Sequence, residues 1–180
     1  RRVIEFAFDE PPARVRQLLG VDSVLRVRRI NLADGEPFAV VTVWCPDWPV
    51  VAVGASMDAP AAVVAGGRTT ACTAAARASG VKRGQKLRDA QRHCPGLAVH
   101  AEEPQVQARC FEHVASVVES FCPRVEVVRP GLCAVPARGP ARYFGGEQAL
   151  ADLVREAVTA RGFECAIGIA DGVFAAVLAA

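Results

Sequence analysis

Two amphipathic segments constrain the fold of this 180-residue chain more than any other feature. Gln105 to Phe121 places apolar residues at helical spacing on one side and lies between two prolines, and Glu147 to Arg161 shows similar spacing before Gly162. Both segments therefore predict α-helices, with Gly162 as the C-cap of the second. Because an apolar stripe has to be buried against another element, both helices require a partner layer.

Short apolar runs supply the strands of such a layer. The predicted strands are residues 3–8, 24–30, 38–44, 69–73, 125–128, 132–135 and 164–169. Val24 to Ile30 and Phe38 to Trp44 flank a turn at residues 33–37, which favours a hairpin. Residues 125–135 surround Pro130-Gly131, which fits two strands joined by a turn or one interrupted strand.

Shorter helices complete the predicted elements. They are residues 13–19 after Pro11-Pro12, a helical turn at 74–79, a basic helix at 86–93, and residues 173–180 after an Asp171-Gly172 turn. This mixture of helices and strands predicts an α/β (α+β) fold.

The composition is typical of a soluble protein, and a start that does not suit a secretory signal favours the cytoplasm. Ala and Val supply most of the hydrophobic residues, and no run approaches the roughly 20 apolar residues of a membrane span, so no membrane partner is expected. The start at Arg1-Arg2 carries no secretory signal, and we interpret the chain as an excerpt of a longer one. Its seven cysteines form no C-x-x-C pair, which indicates buried free thiols and neither a metal site nor a cofactor.

One segment is locally basic although the net charge is only +2. Between Arg77 and Arg92 the only carboxylate is Asp89. Its cations would follow a nucleic-acid backbone and give salt-sensitive binding without base readout. A solvated helix face explains the same pattern, and both interpretations stay open. The candidate nucleic-acid or phosphate contacts are Arg77, Lys82, Arg83, Lys86 and Arg88, with Arg92 on the same segment.

Three stretches, in order, resemble the Y-family DNA polymerases, specifically the mutasome-type homologue called ImuB. The first contains Cys45-Pro46-Asp47-Trp48-Pro49 and is similar to the opening palm strand and its following helix. The second, Ala71 to Gly84 with Cys94-Pro95-Gly96-Leu97, is similar to the fingers segment. The third runs from Val125 through Arg129-Pro130-Gly131-Leu132 to Gly145, and on to Cys165 through Ala170.

The resemblance implies that the catalytic carboxylates are lost. Active members hold two magnesium ions with palm carboxylates, which stabilise charge during in-line phosphoryl transfer. On the family pattern the first of these aspartates falls at Cys45, and a later Asp-Glu pair falls at Pro130-Gly131. The fingers Tyr aligns with Ala74 and a later palm Lys with Val173, whereas the fingers Arg is matched by Arg77. Asp47 is the one carboxylate left near the site.

The resemblance further implies a palm-like sheet with packed helices and a small helical fingers segment over residues 44–180, truncated before the thumb and little finger. It implies a non-catalytic adaptor in translesion synthesis and damage-induced mutagenesis. The partners that it implies are damaged or primer-template DNA, an error-prone DNA polymerase, an accessory mutasome protein and a sliding clamp.

Residues 1–43 resemble a different family, the effector-binding (UTRA) domain of GntR-type transcription regulators. The likeness lies in Pro11-Pro12, Leu18-Leu19-Gly20 and the hairpin segment at 28–37. A ligand-sensing transcription regulator is therefore one alternative function. An active translesion polymerase is another, and it would need relocated carboxylates, for which Asp47, Glu126 and Asp171 are the candidates.

Overall fold

A computed structural model describes residues 2–10, 16, 23–30, 32–33, 36–37 and 39–180. In chain order its strands are β1 (Arg2–Asp9), β2 (Val24–Ile30), β3 (Leu32–Ala33), β4 (Glu36–Pro37), β5 (Val40–Trp44), β6 (Ala61–Ala65), β7 (Arg68–Cys72), β8 (Ala98–Ala101), β9 (Glu126–Arg129), β10 (Leu132–Pro136) and β11 (Ala166–Ala170). Its helices are α1 (Trp48–Ala52), α2 (Ala74–Ala78), α3 (Leu87–His93), α4 (Pro104–Glu119), α5 (Arg138–Phe144), α6 (Glu147–Ala160) and α7 (Val173–Ala179).

A four-stranded antiparallel sheet in the order β11-β5-β10-β9 forms the main layer. Trp44 lies opposite Leu132 on β10 and opposite Ala166 on β11, so the C-terminal end of β5 meets the starts of both neighbours. At the other end Val40 lies opposite Pro136 and Ala170. Because β5 is central and almost fully buried, its sequence of valines, interrupted only by Thr42, suits burial on both faces.

The two amphipathic helices, α4 and α6, cover one face of this sheet. Their apolar residues pack with those of β5 and β10 in the largest buried cluster. Phe111, Val114 and Val118 come from α4, whereas Leu150 and Val154 come from α6. The sequence prediction of two helices that need a partner layer is therefore confirmed.

Helix α7 lies against β11 and β5 through a close backbone approach. A Cβ atom at Gly168 would overlap the carbonyl oxygen of Ala176, so only glycine fits at this point of β11. Beside it, the buried hydroxyl of Thr42 donates to the carbonyl oxygen of Gly168 over 3.4 Å. The glycine thus lets a short alanine-rich helix lie directly on the strand.

A second, smaller unit contains the sheet β7-β6-β8 with α2 and α3. β6 pairs antiparallel with β7 and parallel with β8. Thr73 holds this unit together, because its hydroxyl accepts from the Ala61 amide at 3.0 Å and donates to the Ala59 carbonyl at 2.8 Å. The same oxygen accepts from the Ala76 amide and so caps α2.

Most of the predicted elements after residue 68 are confirmed, and residues 125–135 form two antiparallel strands joined by a turn. The predicted hairpin between residues 24–30 and 38–44 is wrong. β2 pairs with β1, and β5 pairs with β10 and β11. An almost fully buried strand such as β5 needs a neighbour on each side, and two strands of the main sheet supply them. The helix predicted at 13–19 lies outside the described residues except for Arg16.

Trp48 connects several of these elements at the first turn of α1. It is 1% exposed, and its indole nitrogen donates to the carbonyl oxygen of Gln107 on α4 at 3.0 Å. Its ring lies edge-on to Phe111, with centroids 5.0 Å apart, and 5.6 Å from the ring of Phe163. Aromatic pairs at these distances add to the stabilisation that burial provides.

We predict that Trp48→Phe lowers the free energy of unfolding by about 1–3 kcal/mol, because it removes a buried hydrogen bond and part of a large buried ring. Urea denaturation followed by far-UV circular dichroism measures this change without relying on tryptophan fluorescence. Trp44→Phe is the matched control, since Trp44 is partly exposed, and its expected cost is below about 1 kcal/mol. Equal costs for the two variants would contradict the central role of Trp48.

Candidate functional site at the end of the central sheet

The positions to which the resemblance assigned metal-binding carboxylates meet at one end of the main sheet. Cys45 directly follows β5, and Pro130-Gly131 forms the turn between β9 and β10. The amide of Cys45 donates to the carbonyl oxygen of Gly131 at 2.8 Å. The three positions are thus neighbours in space, as a shared metal site would require, but their side chains are a thiol, a proline ring and a hydrogen.

Gly131 has no room for any side chain. Its φ of +87° lies in the left-handed region, and a Cβ atom there would lie 2.6 Å from Cβ and 2.9 Å from Cγ of Trp48. Left-handed backbone is costly for residues with a side chain. A carboxylate at this position would therefore require Trp48 and the backbone around it to shift.

Cys45 is 2% exposed and belongs to the largest buried cluster. Burial, together with the smaller effect of the neighbouring thiols of Cys165 and Cys133, raises the pKa of its thiol from 9.0 to about 12. The thiol is therefore protonated at neutral pH. Because magnesium prefers hard oxygen ligands, a neutral thiol does not replace the expected aspartate.

Asp47 is held by an arginine from the smaller unit. Its carboxylate accepts from Nη1 of Arg77 at 2.7 Å, and the same nitrogen donates to the carbonyl oxygen of Cys72 at 2.7 Å. The hydrogen bond to Asp47 raises the pKa of the Arg77 guanidinium. Asp47 adopts a left-handed backbone, with φ at 50°, and its side chain makes no capping hydrogen bond to α1. The carboxylate is thus committed to the ion pair.

The residues present do not fit the two magnesium ions that the resemblance implies. Magnesium needs several hard oxygen ligands in octahedral geometry, and Asp47, the carboxylate two residues after Cys45, is already paired with Arg77. Among the described residues, no group of three or more histidine, cysteine, aspartate or glutamate side chains has the arrangement of a metal site.

A cavity of about 260 Å³ opens at this end of the sheet. Three guanidinium groups and one carboxylate are the charged groups of its wall. The arginines are Arg77 from α2, Arg83 from the loop after α2, and Arg129 from the end of β9, and the carboxylate is Asp47. The electrostatic character of the site is therefore positive.

The sequence-predicted contacts divide into two groups in the structure. Arg77 and Arg83 line the cavity, whereas Lys82, Lys86 and Arg88 lie exposed outside its wall, in the loop and on α3. The backbone amide of Lys82 donates to Oε1 of Gln85 at 2.9 Å, which orders this loop. Arg129 was missed at the sequence level. Its position directly before Pro130-Gly131, in a turn already assigned to the site, was the available signal.

Val173 and two of the candidate carboxylates lie away from this cavity. Val173 follows the end of β11 that lies opposite Val40, and the run from Val40 to Trp44 separates it from Cys45 by about 13 Å. It lines a different cavity, of about 700 Å³, which Glu126 also lines. Asp171 directly follows β11 at the Val40 end. Val173 therefore lies away from the cavity that contains Asp47, and Asp47, Glu126 and Asp171 do not converge.

We predict that Gly131→Ala destabilises the protein more than Gly84→Ala. Both glycines have positive φ, but a Cβ at Gly84 would meet nothing within 4 Å. The backbone conformation alone costs about 1–2 kcal/mol in each variant, and the clash with Trp48 adds about 1–3 kcal/mol at Gly131. Urea denaturation curves give the difference, and equal losses would show that Trp48 moves aside freely.

We also predict that Cys45 and Cys133 resist alkylation in the folded protein. Burial raises both pKa values to about 12, so the reactive thiolate stays scarce at pH 8 and grows only as the pH approaches that value. Peptide mapping after iodoacetamide treatment at pH 8 and pH 9.5 should find both unmodified, and modified once the protein is unfolded in urea. Rapid labelling of Cys45 at pH 8 in the folded state would contradict the assignment of a neutral, buried thiol.

Solved structures of polymerases resemble this fold. The insertion ternary complex of Dbh DNA polymerase has a TM-score of 0.66 and 16% identity, covering 78% of this chain and 44% of that chain. The crystal structure of DinB from Sulfolobus solfataricus has a TM-score of 0.64 and 17% identity, with the same coverage of 78% and 44%. The palm-like fold prediction is confirmed by this likeness, and the chain spans less than half of the length of either polymerase. No curated protein matches the chain.

The sequence also matches a family directly. The match to the impB/mucB/samB family covers residues 23–180. It begins within the segment at 1–43, whose UTRA-like character and boundary stay predictions. No helix among the described residues is long and apolar enough to cross a bilayer. Because the family match covers most of its length, the chain belongs to the impB/mucB/samB family.

Proposed function

We propose that this chain is a non-catalytic Y-family polymerase-like adaptor of the ImuB mutasome type, acting in DNA-damage tolerance. One observation carries the proposal. The end of the main sheet where the family pattern has metal-binding carboxylates contains Cys45, Pro130 and Gly131, and the remaining carboxylate, Asp47, is paired with Arg77.

The chemistry of nucleotide transfer supports this proposal. Two metal ions stabilise the attacking oxygen and the leaving phosphate, and removing their ligands removes most of the catalytic contribution. Here a buried neutral thiol and a glycine packed under Trp48 stand at two of those positions. Because Gly131 is tightly packed against Trp48, a small side-chain movement would not complete a set of metal ligands at this end of the sheet.

Exposed cations support a remaining role in DNA binding. Lys82, Lys86 and Arg88 are exposed on the smaller unit, and Arg92 lies beside them on α3 with Asp89 at 3.6 Å. Such charges bind phosphates without reading bases. Recruitment of an error-prone polymerase, an accessory mutasome protein and a sliding clamp, in the cytoplasm, is the role that the ImuB resemblance supplies to this proposal.

An active translesion polymerase, which is the alternative, would need carboxylates that hold metal ions at this site. It needs carboxylates that converge, and Glu126 and Asp171 lie away from the cavity that contains Asp47. The regulator alternative depends on residues 1–43, most of whose characteristic motifs lie outside the described residues.

We expect the full chain to give no magnesium-dependent primer extension while it binds primer-template DNA in a salt-sensitive manner. The combined variant Lys82→Ala, Lys86→Ala and Arg88→Ala should reduce the slope of log affinity against log salt by about 2–3, because each phosphate contact on B-DNA contributes about 0.9. Arg109→Ala, an exposed cation on α4, serves as the matched control and should leave the slope unchanged.

Two results would overturn the proposal. Extension that requires magnesium and disappears in Asp47→Asn would identify an active polymerase with a rearranged site. A complete lack of DNA binding at low salt would remove the DNA-directed part of the adaptor role and favour a protein-only or regulator function.

A further inference from the structure

The cavity of about 260 Å³ beside Cys45 has three arginines in its wall but only one carboxylate to balance them. Asp47 balances Arg77, but Arg83 and Arg129 form no ion pair within the described residues. Arg129 has only a long hydrogen bond, 3.4 Å, from Nη1 to the carbonyl oxygen of the adjacent Pro130. Two arginines of the cavity wall are thus available, one from the loop after α2 and one from the end of β9.

The size of the cavity limits what these groups can bind. Its volume of about 260 Å³ is below the roughly 300–1,000 Å³ of pockets that enclose a whole small molecule. It is still several times the roughly 30 Å³ that one water molecule occupies. One or two phosphate groups fit such a space, whereas a sugar and a base would remain outside.

The donors match phosphate in kind as well as in size. A guanidinium presents several N–H groups in a fixed plane and forms paired, charge-assisted hydrogen bonds with phosphate oxygens. The carboxylate of Asp47 shows that an anionic oxygen is already accommodated at the cavity, 2.7 Å from Nη1 of Arg77. Asp47 therefore acts as an internal anion that competes for Arg77 with any bound phosphate.

We propose that this cavity binds a phosphate group directly, without a divalent cation, through Arg83 and Arg129, with Asp47 limiting the affinity by occupying Arg77. This inference rests on the proposed non-catalytic function and deepens it. The site has changed from one that attracts cations to one that attracts anions. The phosphate belongs either to a DNA strand or to a free nucleotide, both of which present the same chemistry to the arginines.

The first test is calorimetric titration of the full chain with inorganic pyrophosphate in a buffer that contains EDTA. We expect binding, and we expect Arg83→Gln and Arg129→Gln each to weaken it about tenfold through loss of charge-assisted hydrogen bonds. Arg109→Gln, an exposed arginine outside the cavity, should bind as the unmodified chain does. Circular dichroism verifies that each variant is folded.

Asp47→Asn gives a prediction of opposite sign. Removing the internal anion frees Arg77 and should strengthen pyrophosphate binding several-fold, a gain that a misfolded variant would not show. Magnesium should weaken binding, because it neutralises the ligand and the cavity offers no set of carboxylates to receive it. The proposal would be overturned if neither the unmodified chain nor Asp47→Asn bound pyrophosphate, or if magnesium strengthened the binding.

Competition identifies the source of the phosphate. A short single-stranded DNA that displaces pyrophosphate at lower concentration than a deoxynucleoside triphosphate assigns the site to the DNA backbone, and the reverse order assigns it to a nucleotide. The outcome is independent of the primer-extension result. If the chain binds phosphate in EDTA and also extends primers, only the non-catalytic function is wrong. If it neither binds phosphate nor extends primers, only the phosphate site is wrong.

Discussion

The contact between Trp48 and Gly131 is the constraint on which the rest of this end of the molecule depends. Trp48 packs on the turn between β9 and β10 so closely that a Cβ atom at Gly131 would lie 2.6 Å from the Cβ atom of Trp48. Its indole nitrogen donates a hydrogen bond to the carbonyl oxygen of Gln107 on α4, and its ring packs against Phe111 and Phe163. One side chain therefore fixes the turn, the first helix and the covering helix relative to the main sheet, and the space that it fills is unavailable to a metal ligand.

The electrostatics of the site follow from this packing. With a glycine in the turn and a buried thiol at the end of β5, the remaining charged groups at the cavity are Asp47 and three arginines. Arg77 reaches across from the smaller unit to Asp47, so the ion pair also connects the two units near the cavity. The pair is partly exposed, and its contribution to stability is therefore modest. Its main consequence is that it sets how much positive charge the cavity presents.

Periodicity and the family resemblance predicted the elements with strong patterns and failed where a neighbour decides the outcome. The apolar stripes of α4 and α6 were sufficient to predict both helices. The pairing of β5 was predicted wrongly, because an apolar strand does not specify which strand lies beside it. Pro130-Gly131 was identified as the position of lost carboxylates, but the sequence does not show that Trp48 fills the space above it. Arg129 was missed for a similar reason, since its role at the cavity depends on the strand ends meeting.

These observations bear on whether the loss of the carboxylates is a single removable change. A Cys45→Asp substitution would place a charge in a cluster where the thiol is 2% exposed, and an unpaired buried carboxylate is costly. A carboxylate at 131 would in addition clash with Trp48 and displace it or the turn from its present position. Each restored ligand thus acts against the packing of the sheet and its helices. The absence of ligands is built into the core of the protein, and a return to metal binding would require several coordinated substitutions.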